Sequence, residues 1–297
     1  MESKLLTIFT PTFNRKHYLP QLYESLKKQM DKDCFEWLIV DDGSTDGTNE
    51  LVDTWINEKH LEIRYLYQEN RGKMVAHNTG VLNCSTKYFL CVDSDDFLVD
   101  NAISSVKDLL QNVSINSNLA GLIAYKCDKN GKLICGEFKQ DSSTLNDLYR
   151  NGFWGDTTLI YKTSALKNHL FPEIESEKFI TEDYVYSQID EEYEMFLFPK
   201  PLIICEYLND GYTKSAIKLL FNNPKGMSLY YNLKIKLSKS LKEKMMFTIR
   251  YIAINKIGKA DRAYRQCNAK LLYVLLYPFG CLYAYTKIIK NKKNIKK

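Results

Sequence analysis

Short apolar runs alternate with segments of helical spacing through the first hundred residues, and that order restricts the chain to very few architectures. Leu5 to Thr10 has a strand pattern, which Pro11-Thr12-Phe13-Asn14 is expected to break. Leu19, Leu22, Tyr23 and Leu26 fall on one helical face, and Trp37 to Val40 reads as a second strand. A helix over 48–59 follows, with Leu51, Val52, Trp55 and Ile56 on one face, then a strand over 63–67. A short helix over 72–82 leads into the apolar run Tyr88-Phe-Leu-Cys-Val92. Strands that alternate with helices imply a parallel sheet joined by crossovers.

Two of these strands end in carboxylates. Trp37–Val40 runs into Asp41-Asp42-Gly43-Ser44-Thr45-Asp46-Gly47, and Tyr88–Val92 runs into Asp93-Ser94-Asp95-Asp96. Ligands of open α/β sheets bind outside the carboxyl ends of the strands. Carboxylates gathered there repel unless a cation sits among them. Hard divalent ions take one or two carboxylates together with substrate phosphates. A solvated acidic turn is the plain alternative, and a phosphatase-type Asp nucleophile is another. A calcium loop is excluded, because its Gly and Glu positions counted from Asp93 hold Leu98 and Ser104. Gly43 and Gly47 let the backbone turn sharply beside a ligand, and an ordinary strand–helix turn with Asp46 near the cap would use them equally well. A nucleoside diphosphate would use such a pair of strand ends. Asp42 can accept from a base imide, Asp93 can reach ribose hydroxyls, and Asp95 or Asp96 can hold a metal.

Five motifs together resemble the family-2 glycosyltransferases of GT-A fold, inverting enzymes of bacterial surface-polysaccharide type. They are Thr10-Pro11-Thr12-Phe13-Asn14, Val40–Asp46, Asn70-Arg71-Gly72-Lys73 with Asn78-Thr79-Gly80, Val92–Asp96, and Thr181-Glu182-Asp183 after Phe171-Pro172. The resemblance covers about two hundred residues. It implies an α/β, Rossmann-like, mostly parallel sheet flanked by helices over residues 1–210. It further implies transfer of a sugar from a nucleotide donor to a hydroxyl with inversion. Pro11, Thr12, Asn14, Asp42, Lys73, Asp93, Ser94 and Asp95 would bind the nucleotide-sugar. Asp95 and Asp93 would hold Mn²⁺ or Mg²⁺, with Asp96 and Asp210 as the alternative ligands, and Asp183 would be the catalytic base. Many members carry a histidine after the base as a further ligand. Here His17, His60, His77 and His169 all precede Asp183, so water or Asp210 would complete the shell, and the histidines are expected on the surface or in packing.

The chemistry agrees with that division of labour. An acceptor hydroxyl is a poor nucleophile, so a carboxylate within hydrogen-bond reach must take its proton. The departing nucleoside diphosphate develops negative charge that a cation can stabilise. Glu182-Asp183 ahead of Tyr184, Val185 and Ile189 reads as a helix start, where acids also favour the helix dipole without any catalytic role. Trp154, in the turn before a strand over 157–161, is a candidate to stack on an acceptor sugar with Glu182 nearby; packing in the turn would serve as well.

Charge is divided unevenly. Residues 212–297 carry 20 Lys and Arg against Glu243 and Asp261, a net +18, while the remainder is net −13. This basic region, 211–297, is expected to be helical. Its run Leu271–Tyr285 is apolar and rich in Tyr, yet short for a membrane span and interrupted by Pro278 and Gly280. Such a composition suits peripheral contact with a membrane; a helical cap or a homo-oligomer surface are the other uses. No nucleic-acid module is recognisable, so nucleic acid is not an expected partner. Apolar content of 45% marks a globular chain. Eight cysteines without a Cys-x-x-Cys pair, and no leader-like N-terminus, point to the cytoplasm, at the inner face of the cell membrane. The expected donor is a UDP-sugar and the expected acceptor a glycan or lipid-linked oligosaccharide. The expected activity is that of a hexosyl- or N-acetylhexosaminyltransferase. A sugar-1-phosphate nucleotidyltransferase would want a glycine-rich loop after the first strand, which Pro11–Arg15 lacks; a non-catalytic nucleotide-sugar-binding or membrane scaffold protein would not need Glu182-Asp183.

Overall fold

The computed structural model describes residues 4–205 and 218–295. The chain divides into two compact units, residues 1–170 with 188–206, and residues 171–187 with 207–297. The division drawn from the sequence at residue 210 differs by placing 171–187 with the N-terminal part.

The first unit is built on one sheet. Its elements begin β1 (Leu6–Thr12), α1 (Leu19–Lys27), β2 (Phe35–Asp41), α2 (Thr48–Glu58), β3 (Ile63–Tyr67), α3 (Lys73–Asn83) and β4 (Tyr88–Cys91). Then come β5 (Phe97–Leu98), α4 (Ala102–Ile115), β6 (Leu119–Cys127), β7 (Ser142–Ser143), α5 (Leu145–Arg150), β8 (Thr157–Lys162) and α6 (Thr163–Asn168). After α7 (Asp183–Ile189), β9 (Glu194–Ile204) returns to the sheet. Strand order is β3-β2-β1-β4-β8-β6-β9-β5, with β7 beside β9. β3, β2, β1 and β4 are parallel, while β8 runs antiparallel to both β4 and β6. The sheet is therefore parallel where strands alternate with helices and mixed beyond.

The chain lays strands outward from β1 to β3, then returns to place β4 on the other side of β1. That reversal is the topological switch point, where the carboxyl ends of neighbouring strands leave a crevice. It falls between β1 and β4. Trp37, Ile8, Leu22, Leu26, Leu90 and Leu122, fully buried, belong to the core that fixes these strands. Tyr23, Trp37 and Trp55 stack between α1, β2 and α2.

β1 continues through Pro11, contrary to the sequence expectation of a break there. The Phe9 carbonyl accepts from Val92 and the Thr12 carbonyl from Asp42, so alternate residues face β4 and β2. Pro11 shares Phe9's side, where β4 has already ended, and its missing N–H costs no ladder bond.

The second unit holds α8 (Pro224–Leu237), α9 (Leu241–Ile257), α10 (Ala263–Gln266) and α11 (Lys270–Ile295). Met227, Tyr231 and Ile235 of α8 form a core with Phe247, Tyr251 and Ile254 of α9. The 171–187 segment is tied to α8 by polar bonds. The Glu177 carboxylate accepts from the Lys225 and Gly226 N–H groups, and the Asn223 side chain accepts from Lys178 and Phe179. α11 runs unbroken through Pro278 and Gly280, correcting the expected interruption. Pro278 removes one helical donor, whereas Gly280 packs against α9, where any Cβ would collide with Ile252. Among the described residues, no helix is long and apolar enough to cross a membrane.

Candidate active site

The ends of β2, β1 and β4 lie side by side, so the loops after Thr12, Asp41 and Cys91 share one edge of the sheet. Polar groups tie the first two of these loops together. The Asn14 N–H donates to Ser44 Oγ at 2.8 Å, and Asn14 Oδ1 accepts from the Thr45 N–H at 2.8 Å. Asn14 holds a φ of 53°, in the left-handed region that asparagine tolerates. Asp46 accepts from the Lys16 N–H and from the Thr48 hydroxyl, and these bonds outweigh burial to lower its pKa. Asp41 accepts from the Ser44 N–H at 2.7 Å and from the Tyr65 hydroxyl at 2.7 Å.

Asp42 does more structural work than the sequence reading assigned to it. Its buried carboxylate accepts from Gln68 Nε2 at 2.7 Å, the Arg71 N–H at 2.9 Å and the Gly72 N–H at 2.8 Å. A carboxylate offers about four lone-pair directions, so about one is left for a ligand. Gly43, at φ 91°, fits under the same loop; a Cβ there would lie 3.0 Å from the Asn70 nitrogen. Asp42 therefore draws Arg71, Gly72 and the start of α3 to the sheet edge.

Lys73 opens α3 and reaches Asp93, its ammonium 2.7 Å from Oδ1. Lys126, from β6, meets buried Asp96 at 2.8 Å, and Arg15 meets Asp95 at 3.3 Å. Three carboxylates and three cations thus converge at the switch point. Burial would raise the Asp93 pKa, but Lys73, Lys126 and Arg15 together hold it below the ordinary value. Burial likewise opposes charge on Lys126, and Asp96 and Asp93 reverse that and raise its pKa. Asp95 goes the other way. Burial, then Asp93 and Asp96, raise its pKa, and Arg15 opposes them less strongly. Ser94 is buried within the same turn.

Asp95 is thus the carboxylate with the most to gain from an added cation. Among the described residues no three His, Cys, Asp or Glu side chains gather as a ready metal cage. A Mg²⁺-like ion does not need one, because it binds through one or two carboxylates and completes its shell with phosphate and water. The donor set fits such an ion at Asp95, with Asp93 beside it. Asp210 lies outside the described residues.

Thr12 supplies an independent sign of a ligand. Its hydroxyl is buried at the end of β1 with no hydrogen-bond partner. Buried hydroxyls are normally satisfied. Thr12→Val is therefore expected to weaken UDP binding about two- to tenfold, the worth of one hydrogen bond, with little change in thermal stability. Titration calorimetry beside a melting curve checks this; unchanged affinity would remove Thr12 from the site. Pro11, next to it, is buried in β1.

Other elements carry Trp154, Glu182 and Asp183. Trp154 is 63% exposed in the turn before β8, its ring edge beside Gly136. Glu182 and Asp183 belong to the second unit. Asp183 is the first residue of α7, and its carboxylate accepts from Ser187 Oγ at 2.7 Å and from the Tyr230 hydroxyl at 2.7 Å. Buried Lys234 completes the cluster at 3.2 Å. Tyr230 and Lys234 are one turn apart on α8, so one helix face orients the carboxylate. Burial first, then Asp183, raises the Tyr230 pKa and keeps the phenol protonated as a donor. About a third of the Asp183 side chain stays exposed.

Sequence reasoning missed Arg15, Lys126, Tyr230 and Lys234. Lys126 had a legible sign, since it is the lone charge in the nine-residue strand Leu119–Cys127 and needs an opposite charge. Tyr230 and Lys234 had none, because many lysines share their basic surroundings. The histidines behave as packing or surface groups, with buried His77 edge-on to Phe9 and Phe89.

The family model described as glycosyl transferase family 2 matches residues 7–165. An uncharacterized glycosyltransferase of Rickettsia felis is 36% identical over 130 residues, 43% of this chain and 21% of its own length. The Staphylococcus aureus poly(ribitol-phosphate) beta-N-acetylglucosaminyltransferase TarS is 28% identical over 171 residues, 56% of this chain and 29% of TarS. The aligned regions thus span only about a fifth to a third of these relatives. The structure of TarS residues 1–349 with UDP-GlcNAc superposes with a TM-score of 0.57 at 20% identity, over 97% of this chain and 89% of that one. The mannosyltransferase PcManGT of Pyrobaculum calidifontis, solved with GDP-Man and Mn²⁺, gives 0.58 at 15% identity, over 97% and 85%. These likenesses establish the GT-A fold.

Proposed function

The chain belongs to glycosyl transferase family 2, and from that premise we propose that it moves a hexose or N-acetylhexosamine from a UDP-sugar to a hydroxyl of a glycan or lipid-linked oligosaccharide during cell-surface polymer synthesis. The observation that carries the reading is the convergence of Asp93, Asp95 and Asp96 with Lys73, Lys126 and Arg15 at the switch point. An anionic diphosphate with its cation can exchange partners there without leaving buried charge unpaired. The UDP-GlcNAc complex of TarS and the GDP-Man complex of PcManGT support a nucleotide-sugar as the donor.

In this mechanism Asp42 offers its remaining lone pair to the base imide while holding Arg71 and Gly72. Asp93 turns from Lys73 to a ribose hydroxyl, and Lys73 and Arg15 turn to phosphate oxygens. Thr12 gives its unpaired hydroxyl to the donor. Asn14 keeps the loop after β1 in place, and Ser94 lies in the turn that carries Asp93 and Asp95. Asp95, with Asp93, would hold a divalent cation, which supplies charge stabilisation to the departing diphosphate. Asp183 takes the acceptor's hydroxyl proton. The acceptor oxygen bonds to the anomeric carbon from the face opposite the diphosphate, and UDP leaves with the electron pair of the broken C–O bond. Ser187, Tyr230 and Lys234 hold the Asp183 carboxylate in one orientation. Trp154 offers an exposed ring for a sugar face.

The reading is tested by incubating the protein with UDP-, GDP- and TDP-sugars in the presence of Mn²⁺ or Mg²⁺ and following free nucleotide. Release of UDP from a UDP-hexose or UDP-N-acetylhexosamine is expected. Release of GDP alone would reassign the donor, and transfer of a nucleotidyl group to a sugar phosphate would replace the reaction class.

A further inference from the structure

α11 is apolar on two opposite faces, and the second unit covers only one of them. Leu276, Gly280 and Ala284 lie on the covered side, with Gly280 against Ile252 of α9. On the opposite side, Leu271, Val274, Leu275, Phe279, Leu282 and Tyr285 are 57–74% exposed. At about 100° per residue these six positions form one stripe about 140° wide, longer and more continuous than scattered surface apolar residues. The stripe continues sideways. Tyr283, one turn after Phe279, lines a cavity of about 560 Å³ together with Met245, Met246 and Ile249 of α9. Lys242 and Arg250 line the same cavity.

We propose that this face of α11, with the adjoining cavity of α9, docks on an anionic lipid surface, the helix lying in the plane of the interface. Charge selects this occupant over a second copy. From Lys270 onward the chain has seven lysines and no acid, and residues 212–297 are net +18. Two copies meeting through this face would bring two strongly basic units together, which is unfavourable. Anionic headgroups supply the complementary charge, at a strength that grows with each basic residue near the surface. The face also has the composition of an interfacial helix, with aliphatic residues to insert and Tyr283 and Tyr285 for the headgroup level. The inference does not depend on the glycosyl-transfer reading.

The test is flotation of the full chain with vesicles of phosphatidylcholine, with and without phosphatidylglycerol. The wild type is expected to bind the anionic vesicles, to bind the neutral ones poorly, and to weaken with salt without full release. Leu275→Glu combined with Leu282→Glu is expected to lower anionic binding about tenfold or more. Met30→Glu, at an exposed apolar site in the first unit, is expected to leave it unchanged. If circular dichroism shows that the double glutamate variant unfolds, Leu275→Asn with Leu282→Asn is expected to show the loss instead. Equal binding to both vesicle types overturns the assignment, as does binding unaffected by a folded stripe variant. A wild-type dimer that does not bind vesicles and is broken by the same variants would give the face to a second copy.

Discussion

Asp183→Asn is expected to retain UDP-sugar affinity and lose transfer by about 10²-fold or more, the usual cost of a missing general base. The amide keeps the shape of the carboxylate and can still accept from Tyr230, but it cannot hold the acceptor's proton. The Lys234 ammonium, almost wholly buried, loses its anionic partner at 3.2 Å. Some loss of stability is therefore expected beside the loss of rate, and a melting curve must accompany the kinetics. Tyr230→Phe separates orientation from basicity. It removes one donor to Asp183 and leaves Ser187 and Lys234, so its rate loss is expected to be the smaller. Near-wild-type turnover of Asp183→Asn with a competent acceptor would remove Asp183 from the mechanism.

Asp95→Ala is expected to abolish most of the gain in UDP affinity that Mn²⁺ provides, about tenfold or more. Burial and the like charges of Asp93 and Asp96 already disfavour a bare Asp95 carboxylate. An added cation therefore stabilises this position more than it would an isolated surface acid. The variant also relieves that repulsion, so the protein without ligand is expected to be no less stable. Calorimetry with UDP, with and without Mn²⁺, reads both quantities. If the metal changes neither affinity nor turnover in the wild type, Lys73, Lys126 and Arg15 carry the phosphate charge alone.

The parallel half of the fold was legible because it repeats one signal, an apolar strand followed by an amphipathic helix. Sheet order then placed Asp42 and the Asp93–Asp96 run at the ends of β2 and β4, on either side of β1. The mixed half was less legible. β6 and β9 pair in parallel with register shifts, and antiparallel β8 joins β6 to β4, an arrangement that no local periodicity encodes. Two breakers misled for the same reason. Pro11 and Pro278 interrupt a pattern in sequence, but each occupies a place where the lost donor is cheap or the surrounding packing prevails. In the site, carboxylates were readable because clustered acids are conspicuous. Lys73 was named with them, but the other two cationic partners, Lys126 of β6 and Arg15 of the loop after β1, were hidden by distance along the chain. Tyr230 and Lys234 were hidden by context, since the basic region reads as a surface until α8 is seen to hold Asp183.

The central claim is inverting transfer from a UDP-sugar, and proton NMR of the reaction tests it most directly. With an α-configured UDP-sugar, a divalent cation and a soluble acceptor, the first product is expected to show the β-anomeric signal while UDP appears in equal amount. A product of α configuration, or a UDP-sugar consumed without a new glycosidic bond, would contradict it.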